Sequence, residues 1–136
     1  MKASFSRTAL IAGVFSFASF AAISAARAES DPAKETATAA THAGLAAKAS
    51  DMKATQMHLH HVVNCLVGPK GKGFDAAPGN PCKDQGNGAI TDTKNSKQKK
   101  ALQAALAKAN AGLKAKDMAA AQKDATDAQA LLTPKS

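Results

Sequence analysis

Three of the four histidines in this chain fall within "HLHHVVNC", His58 to Cys65, and the fourth is His42. A neutral imidazole offers one in-plane lone pair. Three that converge can hold Zn²⁺, Cu²⁺ or Ni²⁺, with water completing the shell. On a helix turning 100° per residue, His58 and His61 share a flank and Cys65 lies one turn further along. His60 falls on the opposite flank of the apolar stripe. His42 and His58 each lie eight residues from Ser50. A reversal there would bring them to one level of an antiparallel hairpin. The candidate metal ligands are therefore His42, His58 and His61, with His60 as an outlying fourth. The competing reading is polar decoration of a solvated helix flank, which histidine tolerates.

These residues need helices to position them. "ESDPAKETATAATHAGLAAKAS" opens with Asp31 as N-cap and Pro32 at the first helical position. A second helix is predicted from near Ser50-Asp51 to about Val67. There Met52, Thr55, Leu59, Val62, Val63 and Leu66 recur at three- and four-residue intervals. No Gly or Pro separates Leu45 from Val67, so a single continuous rod is the alternative. At the standard rise it would hold His42 and His58 about 24 Å apart. Residues 68–92 contain six glycines and three prolines, a density that predicts no regular element. Phe74 and Ile90 are its expected apolar pegs.

A third helix is expected to begin within "TDTKNSKQKK" and to bury Leu102, Leu106, Ala109 and Leu113. A fourth runs from Asp117 to before Pro134. The two halves read as copies: Asp51-Met52 with Asp117-Met118, Gln56 with Gln122, and Leu66 with Leu132. Gly44-Leu45 also matches Gly112-Leu113 if Ser50 and its neighbour are treated as an insertion. On that alignment Asn110, Asp124 and Asp127 replace the histidines. The expected fold is all-α: an antiparallel four-helix bundle of two αα-hairpins, 31–67 and 93–133, joined by a long Gly/Pro-rich loop, 68–92.

The N-terminus bears on compartment. "MKASFSR" is a basic n-region, "TALIAGVFSFASFAAIS" is apolar, and Ala26-Arg27-Ala28 has a peptidase's small-residue pattern. Residues 1–28 read as a signal peptide, leaving 29–136 as one helical domain with no membrane span, periplasmic or secreted. Without Lys2, Arg7 and Arg27, the basic count falls from 18 to 15 against 10 acids, a balance of +5. The remaining chain has no arginine and one aromatic, Phe74, so it lacks the forks and stacking platforms of specific nucleic-acid binding. In an oxidising compartment Cys65 and Cys82 are expected to form a disulfide.

Other chemistry is weaker. "GPKGKG" lacks the GK[ST] of a phosphate loop. Met52 and Met118 read as core filling, while Met57 lies off the stripe. Lys94, Lys97, Lys99 and Lys100 oppose the dipole at the start of the third helix. They could contact an anionic partner. No nucleophile arrangement or paired carboxylates can be recognised, so a non-enzymatic role is expected. Haem is disfavoured by the scarcity of aromatic side chains.

"HHVVNCLVGP" and "GNPC" resemble a group of small exported proteobacterial proteins with no assigned activity. The hairpins are also distantly similar to small periplasmic His-rich metal-binding proteins, which carry histidines throughout their repeats. The resemblance implies an exported helical protein with at most one or two metal sites. The resulting expectation is binding of Cu, Ni or Zn. The alternative is an envelope interaction protein using the loop or the lysine cluster.

Overall fold

A computed structural model describes residues 29–134. The signal peptide expected at 1–28 lies outside them. Among the described residues, four long helices and one short one follow in order: α1 Pro32–Lys48, α2 Met52–Val67, α3 Ala89–Asp92, α4 Ser96–Lys114 and α5 Met118–Leu132. Each long helix starts on a polar side chain that accepts from a backbone N–H three residues on. These bonds are Asp31 to Lys34 (2.9 Å), Asp51 to Ala54 (2.8 Å), Asn95 to Gln98 (3.0 Å) and Asp117 to Ala120 (2.9 Å).

The Asp51 cap decides against a continuous rod. Ala49 is extended (φ −62°, ψ 148°) and closes α1; Asp51 then opens α2, so the chain folds back between them. The second hairpin does the same with extended Ala115 and Asp117. In the resulting bundle α1 packs on α2 and α5, and α4 packs on α5 and α2. Gln122 ties the hairpins at their turns, donating to the Ala49 carbonyl at 2.8 Å.

The two hairpins bury corresponding positions at one constant offset of 66 residues. Thr36, Ala39, Ala43 and Ala46 of α1 pair with Leu102, Ala105, Ala109 and Gly112 of α4. Thr55, Leu59, Val62 and Leu66 of α2 pair with Ala121, Ala125, Ala128 and Leu132 of α5. The insertion expected near Ser50 is therefore a misalignment: Gly112 corresponds to Ala46, not Gly44. The two glycines also pack differently. A Cβ at Gly112 would stand 2.8 Å from Leu59 Cδ1, whereas one at Gly44 would meet only the Gln129 side-chain amide.

Alanines supply much of the core, allowing close helix approach, and the branched side chains of α2 fill it. Phe74 and Ile90 pack against it as expected. The expectation of no regular element in 68–92 needs one correction: Ala89–Asp92 makes a single helical turn. Gly68 ends α2 at φ +69°, a backbone conformation that favours glycine. A Cβ there would collide with the Asn87 carbonyl, so the two ends of the loop cross at Gly68.

The loop is held down along its length. Cys65 and Cys82 form a disulfide, with Cα atoms 5.2 Å apart at a sequence separation of 17. Closing a loop of that size removes unfolded-state freedom corresponding to about 3 kcal/mol. Glu35, 1% exposed, reaches from α1 to accept the Gly88 N–H at 2.8 Å.

Candidate metal centre

The fold-back at Ser50 places His42 of α1 beside His58 and His61 of α2. His42 Nδ1 lies 3.2 Å from His58 Nδ1 and 3.3 Å from His61 Nδ1. The ring centroids are 4.6–5.7 Å apart, and all three side chains are partly buried. One nitrogen from each ring lies within 4.8 Å of the others. Two nitrogens bound at about 2.0–2.1 Å to one tetrahedral ion are separated by about 3.3–3.4 Å. The His42 contacts fall at that spacing.

The environment favours the neutral form of His42 and His58, as a ligand requires. Burial, followed by repulsion from His61 and His58, pushes His42 down to about 4. Burial and then His61 also lower His58. His61 has a further constraint. Its Nε2 lies 2.6 Å from the Pro78 carbonyl oxygen. A carbonyl only accepts, so His61 carries its proton on Nε2, and in the neutral ring the Nδ1 lone pair faces His42. A carbonyl on the remote nitrogen is the usual outer partner of a metal-binding histidine.

The internal repeat supplies a comparison within the chain. At the 66-residue offset, His42, His58 and His61 correspond to Lys108, Asp124 and Asp127, correcting Asn110 to Lys108. The Lys108 ammonium lies 2.8 Å from Asp127 Oδ2 and 3.5 Å from Asp124 Oδ1. Lys123 adds a second cation to Asp127 at 2.9 Å. Hydrogen bonds from Lys108 and Lys123 hold the Asp127 carboxyl at about 2. The second hairpin thus has an internal cation between its acceptors. The equivalent position of the first has three imidazole rings with converging nitrogens.

His60 does not join the triad. The 100° step turns it to the other flank, where its Nδ1 is 3.8 Å from Asp75 Oδ2 and has no hydrogen-bond partner. Met57 is 40% exposed, and Met52 packs against the core. Lys94, Lys97 and Lys100 are exposed and Lys99 partly so; none forms an ion pair among the described residues. No helix among those residues is long and apolar enough to cross a membrane. Sequence reasoning missed Asn64, Pro78 and the inward turn of Glu35. Only Asn64 left a signal, as a polar residue inside the apolar run "VVNCLV".

No protein-family model matches the chain, and no curated protein or solved structure matches it either.

Proposed function

We propose that this is a non-enzymatic metal-binding protein of an oxidising, extracytoplasmic compartment. It holds one Zn²⁺, Cu²⁺ or Ni²⁺ ion on the Nδ1 atoms of His42, His58 and His61. The observation that carries this reading is the Nδ1 spacing of 3.2 and 3.3 Å around His42, close to that of ligands sharing one tetrahedral ion. The spacing favours Zn²⁺ within this set, with water or an exogenous ligand in the fourth position.

The lowered His42 and His58 support the same reading, because protons compete weakly for these nitrogens near neutrality. The disulfide supports the compartment.

Calorimetric titration of the mature chain with Zn²⁺, Cu²⁺ and Ni²⁺, beside a His42→Ala/His58→Ala/His61→Ala variant, tests it. One ion per chain at micromolar affinity or better, lost in the variant, is expected. Absence of binding, or equal binding by both proteins, overturns the reading.

A further inference from the structure

We propose that residues 75–82 form a strap that positions the metal centre through His61, and that Asn64 is its positioning residue. This rests on the metal reading above. The last two turns of α2 face the strap at four points. His60 faces Asp75. His61 donates from Nε2 to the Pro78 carbonyl at 2.6 Å. Asn64 donates from Nδ2 to the carbonyls of Asp75 (2.6 Å) and Gly79 (2.7 Å), and its Oδ1 accepts from Asp75 N–H at 3.0 Å. Cys65 is bonded to Cys82. The sequence "HHVVNC" therefore serves two purposes: one histidine belongs to the triad, and the series as a whole grips the strap.

Asn64 is fully buried, and a carboxamide suits its place. It offers two N–H donors and an acceptor from one short stem. A carboxylate would set a charged oxygen against two carbonyls, and a hydroxyl has only one donor. The bonds fix the backbone on both sides of Pro78, from Asp75 to Gly79. Gly79, at φ +96°, completes a turn close enough that a Cβ on it would stand 3.8 Å from His61 Nε2.

The strap thus selects a tautomer. A free imidazole in water exchanges its proton between its two nitrogens, and the form protonated on Nδ1 cannot ligate through that atom. The Pro78 carbonyl holds the proton on Nε2 and leaves Nδ1 open toward His42. Outer partners of this kind are typically worth about 10- to 100-fold in metal affinity.

The test compares the oxidised mature protein with Asn64→Asp, with the Cys65→Ser/Cys82→Ser pair, and with Thr38→Ala. Thr38 contacts the loop at Gln85, outside the strap, and serves as control. Long-range ¹H–¹⁵N NMR reads the His61 tautomer without metal, competition titration reads Zn²⁺ affinity, and circular dichroism reads helicity. His61 should be the Nε2–H form in wild type and in Thr38→Ala. It should become a tautomer mixture in the other two, with Zn²⁺ binding about 10- to 100-fold weaker and helicity kept. If Asn64→Asp loses helicity, the serine pair decides.

An Nδ1–H tautomer in wild type overturns the strap. So does Zn²⁺ bound equally by wild type and folded variants, which leaves the metal reading intact. A tautomer that follows the strap while wild type binds no Zn²⁺ overturns the metal reading and supports the strap's hold on His61.

Discussion

Replacing Glu35 by Gln should stabilise the protein above neutral pH and leave it nearly unchanged in mild acid. Burial, opposed by the Gly88 N–H and reinforced by the nearby Asp92 carboxylate, raises Glu35 from 4.5 to about 7. Its Oε2 is buried without a hydrogen-bond partner. A proton there converts two repelling carboxylates into a donor and an acceptor. Because the folded state holds this proton more tightly than the unfolded state, stability declines as pH rises from about 4.5 to 7, then levels off. At about 1.4 kcal/mol per pH unit, the loss is on the order of 2–3 kcal/mol. Gln can accept from Gly88 with its carbonyl and donate to Asp92 with its amide, without a charge. Urea unfolding of both proteins from pH 4.5 to 8 measures the difference. The advantage of Glu35→Gln should grow by about 2–3 kcal/mol over that range. A difference that stays flat refutes this account of the buried carboxyl.

Four further outcomes follow from packing and charge. Lys108→His/Asp124→His/Asp127→His should create a second metal site, raising the stoichiometry of Zn²⁺ titration from one to two, because the hairpins bury corresponding positions at the 66-residue offset. In NMR titration of the metal-free protein, His42 should stay neutral until pH approaches 4. Its depressed folded value means that its contribution to stability is complete above about 6.5 and is lost as pH falls towards 4. Gly112→Ala should lower stability by about 1–2 kcal/mol, since the new Cβ meets Leu59 at 2.8 Å and the Ala121 carbonyl oxygen at 3.2 Å. Gly44→Ala should be neutral or slightly stabilising, because the Gln129 amide can swing away and alanine favours helix; thermal melts distinguish the two.

Helix positions were legible in the sequence because caps and apolar spacing are local signals: Asp31, Asp51 and Asp117 each proved to be an N-cap. The meeting of His42 with His58 and His61 was legible once a reversal at Ser50 was assumed, and capping by Asp51 makes that reversal. The repeat was visible but out of register by two residues in its first helix. The pair Gly-Leu is a strong identity match, yet Gly44 and Gly112 occupy different packing environments. Only burial reveals the constant offset, and with it Lys108. The partners of Asn64, His61 and Glu35 were not legible. Each lies in the glycine-rich loop or its short helix, whose path is fixed by tertiary contacts that no periodicity encodes.

Crystals of residues 29–136 grown with Zn²⁺, with anomalous data collected at the zinc edge, test the central claim most directly. One peak is expected in the first hairpin, about 2.0–2.1 Å from Nδ1 of His42, His58 and His61. A zinc-soaked crystal with no peak among these three nitrogens, or with its ion at His60 and Asp75 instead, would contradict it.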